Sequence, residues 1–600
     1  MKFQRKALAI AVMVAISTLT ACGSSSSDPE PEVVNTAPTD ISLSSNSFDE
    51  NAKGIVIGTL TATDADANDT FTFGTSISSN SIMVTNGNQL SVGADFMFDY
   101  EQTKSVTLDI IVTDSAGASF TKEFTLNVND LLDYYGFMSK VGDVNNSSVS
   151  YGGQSARHAL IAELKHYIGK GGLEADLVSR KLTSKADVIT KLNTYFDGQS
   201  SDWEDGAFPI TFTEAKQKTF SDISSSLKTL KGKVAGNDAG GQHKLWNDGD
   251  FAGWGVKGSI TPTGLIESFF DQLADNAIAV FNNEEHNDPI TNKEIPFYVT
   301  QTGTDLNQLI QKFLLMSITY SQATDDYLDE NKGLAADNIT GDKDGTKDYT
   351  SLEHQFDEGF GYFGAARDYL AYNDNEISGK VSSAEDGRED WNGQHDTDGQ
   401  DGIDLTSEFN FGNSVNAAKR DRGSKLLPDG SANPAATDYT KQAMEAFLNG
   451  RKLINDRAGF DLTDAEMLEL VGYRDTAVDA WERAVVATVI HYINDLRSDL
   501  EPLETATGEF DFVTAAKHFS ELKGFALGLQ FNPYSPISGE AETKFVAEGN
   551  EAKFVTLHKL LKDAPVLDAA NVAAYRTDLA SASELLRIAY NFDADNVANW

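Results

Sequence analysis

One segment places a histidine and two acidic residues within about one helical turn of each other. His354 and Glu358 are four residues apart, so a helix puts them on one face, and Asp357 lies beside them. A histidine with two carboxylates can bind iron or another first-row transition metal, or act as an acid–base pair in hydrolysis. The same spacing also occurs where a His–carboxylate hydrogen bond ties a helix to its neighbour. The sequence leaves both interpretations open.

Two further histidines lie close to acidic residues in segments with helical periodicity. His491 precedes Asp495, and His518 precedes Glu521. Each of these alone is typical of a core histidine whose hydrogen bonds are satisfied. Convergence of two of these histidines on His354 would favour a catalytic or metal site.

Acidic and amide residues recur at the ends of short strand-like segments before residue 131. Calcium takes six to eight oxygen ligands at about 2.3–2.6 Å, from carboxylates and carbonyls. An Asp-x-Asp pair at a strand end puts both carboxylates on one face, which suits that demand. The pattern therefore predicts calcium ligation, with a solvated acidic surface as the alternative. The candidate ligands are Glu50, Asp64, Asp66, Asp99, Glu101, Asp114, Asn129 and Asp130.

A Gly/Asp-rich loop has nearly the spacing of an EF-hand calcium loop. Such a loop needs Gly at position six and Glu at position twelve. Here Gly402 is seventh from Asp396 and Glu408 is thirteenth, so one residue is inserted. Either an irregular calcium loop or a solvated acidic loop is expected. The candidate ligands are Asp396, Asp398, Asp401 and Asp404.

Cys22 is the only cysteine in the 600 residues. Basic residues, a short apolar run and small residues precede it, which is typical of a secretory signal rather than a membrane span. The order Leu19-Thr20-Ala21-Cys22 resembles the lipobox of bacterial lipoproteins, which implies a signal peptide over residues 1–21 and lipidation of Cys22. Because no Asp follows the cysteine, the resemblance implies anchoring in the outer membrane of a Gram-negative bacterium.

The charge balance restricts the partners of the chain. It has 91 acidic and 48 basic residues, for a net charge of −43. This charge repels nucleic acid and favours divalent cations. The sequence also contains no serine nucleophile elbow, no His-Glu-x-x-His helix and no cysteine-based site. A binding protein is therefore favoured over an enzyme.

Changes in composition and hydrophobic periodicity along the sequence predict a multidomain chain. Residues 22–35 form a spacer rich in Ser, Pro and acid. Residues 36–130 alternate with period two between Gly, Asn and Asp turns, which predicts a small all-β sandwich. Residues 134–600 carry apolar positions at spacings of three and four, which predicts a large all-α domain of helical-bundle type. The clearest helical segments are 159–168, 306–320, 443–454, 467–496, 512–529 and 572–590.

Five motifs within residues 36–130 occur in the order found in a cadherin repeat. They are Glu-Asn-x-x-Gly from Glu50, Asp-x-Asp from Asp64, Asp-Tyr-Glu from Asp99, Asp114, and Asn-x-Asn-Asp ending at Asp130. The resemblance implies two calcium clusters and a role in adhesion, although a fold does not fix a function. The amino-terminal cluster would contain Asp64, Asp66 and Asp114, completed by Asn35 or Asp40. The carboxyl-terminal cluster would contain Glu50, Asp99, Glu101, Asn129 and Asp130, completed by Asp133.

The helical part resembles domain-of-unknown-function family 4856, which occurs in exported bacterial lipoproteins. The resemblance spans about residues 134–595 and implies no established activity. It rests on the segments 149–157, 353–364, 404–412, 415–421 and 520–533. A weaker similarity to the imelysin-like proteins, which are linked to iron acquisition and were once described as peptidases, rests on Glu353-His354-x-x-Asp357. The Gly and the Glu of the imelysin motif are missing here.

Three functional hypotheses follow. The first is an outer-membrane lipoprotein with a calcium-binding, cadherin-like module and a helical ligand-binding domain, which contacts another surface protein or a glycan. The second is a metal-dependent hydrolase of imelysin type centred on His354, Asp357 and Glu358. The third is iron handling by the helical domain without catalysis.

Overall fold

The computed structural model describes residues 34–600 with short gaps. The gaps are 67, 78–79, 95, 101, 200–209, 239–240, 381–387, 389, 423–434, 540–541, 543–545, 548 and 550. The predicted lipidation site Cys22 and the predicted calcium ligand Glu101 lie outside the described residues. The chain divides after Leu131 into a β unit and a helical unit.

The β unit consists of strands that alternate buried and exposed side chains. The strands are β1 (Asp40–Leu43), β2 (Ser47–Asp49), β3 (Val56–Thr63), β4 (Thr72–Thr75), β5 (Ile82–Thr85), β6 (Gln89–Val92), β7 (Ser105–Thr113) and β8 (Ser119–Asn129). One sheet has the order β1-β3-β6-β5 and the other β2-β8-β7-β4. Apart from β2, which runs parallel to β8, the neighbouring strands are antiparallel.

Apolar side chains from both sheets share one core in the β unit. Ile41 of β1, Leu60 of β3, and Ile110 of β7 are fully buried in it. Two sheets that bury one face against each other form a sandwich. The predicted all-β sandwich followed by helices is therefore confirmed.

The helical unit begins after a short irregular segment. Its first helices are α1 (Gly152–Gly169), α2 (Gly172–Val178), α3 (Lys185–Asp197), α4 (Phe220–Ile223), α5 (Pro262–Phe281), α6 (Leu306–Leu314), α7 (Ser351–Phe363) and α8 (Asp374–Ile377). The later ones are α9 (Gly412–Arg420), α10 (Tyr439–Arg457), α11 (Asp464–Asp499), α12 (Glu501–Thr505), α13 (Phe512–Gly528), α14 (Lys553–Leu561), α15 (Val572–Tyr590) and α16 (Ala594–Asn599). None of the described helices has the length and apolar composition of a membrane span.

The helix boundaries follow from local capping. A capping box begins α11, where the Thr463 side chain accepts from the Glu466 amide and the Glu466 carboxylate accepts from the Thr463 amide. Thr350 and Glu353 form the same motif at the start of α7. Gly364 ends α7 in the left-handed conformation, with φ of 78°.

The helix after α6 widens into two π-helical segments. These are Leu315–Tyr320 and Ala323–Tyr327, and nearly all of their side chains are buried. π-Helical turns are rare and occur frequently at functional sites. The second segment ends at Tyr327, whose ring reaches the cavity described below.

Close packing joins α7 to the start of α1. A Cβ atom on Gly361 would lie 2.7 Å from Cβ of Tyr151, and one on Gly359 would lie 2.7 Å from the Leu328 side chain. Only glycine allows these approaches. These glycines therefore serve close helix packing.

A buried arginine ties α10 to α7. Arg451 is fully buried and donates to Glu353 and Asp357, each at 2.7 Å. It also donates to the carbonyl and hydroxyl of Ser148, just before α1. Buried charges persist only when they are paired and hydrogen-bonded in this way.

Candidate functional site

A cavity of about 780 Å³ opens in the helical unit where the first turn of α1 meets α7. Among the described residues that line it, seven are basic and three are acidic, which reverses the balance of the whole chain. The basic residues are Arg157, Lys216, Lys228, Lys233, Lys343, Lys347 and Arg367, and the acidic residues are Asp222, Glu358 and Asp404. The cavity therefore has a local positive potential.

The amino terminus of α1 forms one wall of the cavity. Tyr151 is the N-cap residue, and neither a side-chain cap nor an acidic residue in the first turn neutralises this end of the helix. Gly152 and Gly153 begin the helix and line the cavity. The first amides of a helix lack intrahelical acceptors and carry the positive end of the helix dipole. This wall is suited to an anion.

Arg157 lines the same wall from the second turn of α1. It is only 9% exposed, and it donates to the carbonyl oxygens of Thr229 at 3.2 Å and Gly153 at 3.4 Å. Among the described residues, no carboxylate lies within 4.0 Å of it. A buried guanidinium without an acidic partner is costly, and an anionic ligand would offset that cost.

Lys228 lies directly beside the glycines. Its Cε is 2.9 Å from the position of a Cβ on Gly153, and its Nζ donates to Ser226 at 2.8 Å. Burial lowers the pKa of Lys228, and the positive charge of Arg157 lowers it further. Two neighbouring cations that repel each other form a site that binding of an anion would stabilise.

Lys233 and Lys343 are two further basic residues that line the cavity. Lys233 pairs with Asp238 at 3.0 Å and lies over the ring of Tyr327. Lys343 has a left-handed backbone with φ of 51° in the turn Asp342–Gly345. Strained backbone of this kind is concentrated at binding and catalytic sites.

The α7 side of the cavity, called the acceptor wall below, lies directly beside the start of α1 and carries hydrogen-bond acceptors. His354 Nδ1 donates to the carbonyl oxygen of Ser150 at 2.9 Å, and its Nε2 lies 3.8 Å from Glu358 Oε1. The Gln154 side chain, 1% exposed, donates to the same Glu358 oxygen at 2.8 Å. The carbonyl oxygen of the Gln154 side chain is buried without a partner.

The structure separates Asp357 from the other two residues of the predicted His–carboxylate site. Asp357 is fully buried and accepts from Arg451, from the Tyr135 hydroxyl at 2.9 Å and from the Ser150 amide at 3.0 Å. Its role is to hold the chain before α1 in place. His354 and Glu358 do share the cavity, so two of the three residues are brought together.

The other predicted histidines form their own cluster. His491 lies 3.3 Å from Asp495, and His518 lies 3.9 Å from Asp495 and 2.7 Å from Asp499. Two groups of three His, Cys, Asp or Glu residues with ligand atoms within 4.8 Å of one another occur among the described residues, and neither contains a histidine. The described histidines therefore do not assemble a three-ligand metal site around His354.

The structure brings together much of the amino-terminal cluster of the β unit. Asp64, Asp66 and Asp69 have carboxylate oxygens within 4.8 Å of one another. One oxygen of Asp64 and one of Asp69 are buried without a hydrogen-bond partner. The amide and hydroxyl of Thr36 donate to Asp66 and hold its pKa below the ordinary value.

The third predicted ligand of this cluster is tied to the chain before β1. Asp114 accepts from the Asn35 side chain at 2.9 Å, and this hydrogen bond lowers the pKa of Asp114. Of the two residues expected to complete this cluster, Asn35 contacts Asp114, whereas Asp40 pairs with Lys122 at 2.7 Å. Six to eight oxygens of this type meet the needs of calcium.

The carboxyl-terminal cluster has a different geometry. Glu50 is 2% exposed, and its two oxygens accept from the amides of Tyr100 at 2.5 Å and Leu131 at 2.7 Å. Asp99 accepts from Gln102, and Asn129 donates to Asp49 at 2.9 Å. Asp130 is exposed. Among the described acids here, no three have ligand oxygens within 4.8 Å of one another.

The predicted calcium loop is assembled in part. Asp396 and Asp398 meet Glu408, whose oxygens accept from the amides of Thr397 and Asp404. The Asp404 carboxylate turns away to Gln217 and Thr406. Asp401 is exposed in a left-handed turn with φ of 64°. Two of the four predicted ligands therefore lie together, with Glu408 as the third acid.

Two residues of the candidate sites, Asp69 and Lys228, were not predicted from the sequence, and only Asp69 belongs to a recognisable local pattern. Asp69 continues the spacing Asp-x-Asp-x-x-Asp from Asp64, so a local pattern was available. Lys228 follows a run of three serines at 224–226 that line the cavity, but nothing in that run indicates its distant partner Arg157.

The comparisons with known proteins concern part of the helical unit. Residues 263–394 match the family described as Domain of unknown function (DUF4856). This stretch includes α7, with His354 and Glu358, and the turn that carries Lys343. It is shorter than the resemblance over 134–595 that the sequence suggested. Searches of curated proteins and of solved structures gave no match.

Proposed function

We propose that the chain is a binding protein whose helical unit takes a polar, negatively charged small molecule into the cavity between α1 and α7. One observation carries this proposal: Arg157 lies on the cavity wall, 9% exposed, with no described carboxylate in ion-pair range. A cation is kept in such a place at a cost unless a ligand supplies the missing charge.

The size and chemistry of the cavity support a small-molecule ligand. Its volume of about 780 Å³ is within the 300–1,000 Å³ or so that is usual for ligand sites. Lysines, serines and the open end of α1 supply hydrogen-bond donors to an anion.

The β unit is proposed to bind calcium at its amino-terminal cluster. Two observations support this proposal. Asp64, Asp66 and Asp69 have carboxylate oxygens within 4.8 Å of one another, and two of the buried oxygens have no hydrogen-bond partner. The carboxyl-terminal cluster and the Asp396 loop are weaker proposals, because Glu50 and Glu408 already accept backbone hydrogen bonds.

The lipid anchor at Cys22 completes the proposal. An acylated chain in the outer membrane would hold both units near that surface, and the β unit would contact another surface protein or a glycan. The supporting observation is the Leu-Thr-Ala-Cys sequence alone. Replacing Cys22 with Ser should release the protein from the membrane fraction, and continued membrane association would contradict the anchor.

The test of the cavity is anion binding by the two-unit chain, residues 23–600. Acetate, citrate and inorganic phosphate are titrated by calorimetry and by thermal unfolding of the helical unit. Binding should weaken about tenfold in Lys228→Gln and stay unchanged in Lys170→Gln, which removes the same charge at the other end of α1. No binding by any of these anions, or equal binding by both variants, would contradict the proposal.

A metal-dependent hydrolase remains the second candidate. The observation in its favour is that His354 Nε2 and Glu358 Oε1 lie 3.8 Å apart and line the cavity. A zinc or iron ion bound there would take further ligands from the substrate. Retention of one metal per chain after dialysis, lost in His354→Ala, would favour this candidate over simple anion binding.

A further inference from the structure

The two walls of the cavity are chemically different. Arg157, Lys228 and the first amides of α1 present hydrogen-bond donors and positive charge. The other wall presents Glu358 and His354. A ligand that contacts both sets of groups must therefore carry both an anionic group and hydrogen-bond donors.

The protonation of His354 follows from its partner. A carbonyl oxygen accepts a hydrogen bond, so Nδ1 of His354, which lies 2.9 Å from the Ser150 carbonyl oxygen, carries the proton. Nε2 is therefore left for a ligand, and it lies 3.8 Å from Glu358 Oε1, beyond hydrogen-bond distance. The Glu358 carboxylate beside it can accept from ligand hydroxyl groups.

The neighbouring glutamine adds a third acceptor to this wall. Its side-chain amide is oriented by donation to Glu358, which leaves the carbonyl oxygen of Gln154 buried and without a partner. Buried acceptors are almost always paired, so this oxygen is a further acceptor that a small side-chain shift would bring to a ligand hydroxyl group. This feature is independent of the charges on Arg157 and Lys228.

We propose that the ligand is a hydroxylated oxyanion, a sugar acid or a sugar phosphate, with its anionic group on the Arg157 and Lys228 wall and its hydroxyls donating to the Glu358 and His354 wall; this inference rests on the proposed function. The shared chemistry is one oxyanion joined to several hydroxyl groups. Arg157 and Lys228 would bind the oxyanion, and Glu358 and His354 would accept hydrogen bonds from the hydroxyl groups.

The electrostatics favour hydroxyl groups over an ammonium group as the donors. An amino acid would also join an anion to hydrogen-bond donors. However, the described lining contains seven basic and three acidic side chains, and a second positive charge would be repelled by that excess. Hydroxyl groups donate without adding charge.

The experiment compares ligands that differ in one feature. D-glucuronate, D-glucose 6-phosphate, D-glucose, acetate, inorganic phosphate and glycine are titrated into residues 23–600 by calorimetry. Glucuronate should bind at least tenfold tighter than acetate, and glucose 6-phosphate at least tenfold tighter than phosphate. Whichever pair shows the larger gain identifies the carboxylate or the phosphate as the natural anion. Glucose and glycine should bind weakly.

Variants test the two walls separately. Glu358→Gln should reduce the glucuronate-to-acetate affinity ratio about fivefold, because a neutral amide is a weaker acceptor, while acetate alone binds as well or better. Lys228→Gln should weaken both anions and leave the ratio unchanged. Glu174→Gln, an exposed position on α2, is the charge-matched control. Unchanged thermal unfolding of the unliganded variants shows that they are folded.

The outcomes separate this inference from the function beneath it. Suppose that acetate and phosphate bind, and that Lys228→Gln weakens them, but that glucuronate and glucose 6-phosphate bind no tighter. The proposal that the ligand carries hydroxyl groups is then wrong, while the proposal of an anion-binding cavity is supported. If glycine binds tightest, the ligand is a zwitterion and the inference is overturned. If no anion binds, the proposed function itself fails.

Discussion

The amino-terminal cluster of the β unit and the cavity of the helical unit are like-charge clusters of opposite sign. In the β unit, Asp64, Asp66 and Asp69 meet, and two of their oxygens have no hydrogen-bond partner. In the helical unit, Arg157 and Lys228 line one cavity and repel each other, and neither forms an ion pair with a described carboxylate. In both clusters, like charges lie close together without a direct ion-pair partner for each.

This comparison shows that the net charge of a chain does not predict the charge of a binding site within it. A chain with a net charge of −43 contains a cavity with a local excess of positive side chains. Local composition, set by which loops the fold brings together, decides what a site attracts. The two units should therefore respond to opposite ligands, and each response should leave the other unit unchanged.

The largest effect should come from a buried arginine that does have counter-charges. Arg451→Met removes the partner of Glu353 and Asp357 and should lower the free energy of unfolding of the helical unit by about 3–5 kcal/mol. Arg157→Met leaves no described carboxylate without an ion-pair partner, so it should lower the free energy of unfolding by less than half as much. Chemical denaturation of both variants measures the two free energies. Equal losses would mean that Arg157 also stabilises the fold through its charge.

Calcium should act mainly on the β unit. At a hundredfold excess over its dissociation constant, a ligand of the folded state adds about 2.7 kcal/mol. Calcium added to the chelated chain should therefore raise the β-unit transition, as followed by calorimetry, and a shift in the helical transition would instead support the Asp396 loop.

Single-site variants assign the calcium effect to one cluster. Asp66→Asn should abolish the shift if the amino-terminal cluster binds the ion, whereas Asp99→Asn would abolish it if the carboxyl-terminal cluster does. Glu123→Gln, an exposed position within β8, is the control. A shift that survives both cluster variants would place calcium elsewhere.

The anion response of the helical unit should be smaller. Loss of one charge-assisted hydrogen bond in Lys228→Gln should weaken anion binding about tenfold, or about 1.4 kcal/mol. The same variant should leave the calcium response of the β unit unchanged. A calcium response altered by Lys228→Gln would show that the two sites are coupled.

The smallest effects should be opposite pH dependences. The pKa of Lys228 is lowered, so anion affinity should start to fall, as pH rises, at a lower pH than an ordinary lysine would dictate. The pKa values of Asp66 and Asp114 are lowered, so the calcium response should persist on acidification and disappear only as pH falls through those lowered values. Titrations across pH would contradict this if both affinities changed in the same direction.

Periodicity predicted much of the fold because it is a local property. The predicted segment 572–590 coincides with α15. The predicted helix over 306–320 is α-helical only to Leu314 and then becomes π-helical. The widening depends on neighbours packed around buried side chains, which a single segment does not reveal.

The candidate sites were harder to predict because their partners are remote in sequence. His354 and Glu358 were found from their spacing, but Asp357 was assigned to them although it pairs with Arg451, 94 residues away. Asp69 was within reach of the local pattern and was overlooked. No local pattern connects Arg157 with Lys228, since only the fold brings α1 beside the segment that carries the lysine.

The pairing of Arg451 with the chain before α1 also sets an order of assembly. Its guanidinium contacts Ser148, 303 residues earlier, and Asp357, which holds the amide of Ser150. The wall around α1 can therefore be completed only after α10 is available. Such long sequence separation slows folding, so fragments that stop before α10 should contain helices but no finished cavity. We therefore expect the cavity to form only after α10 has folded against α7.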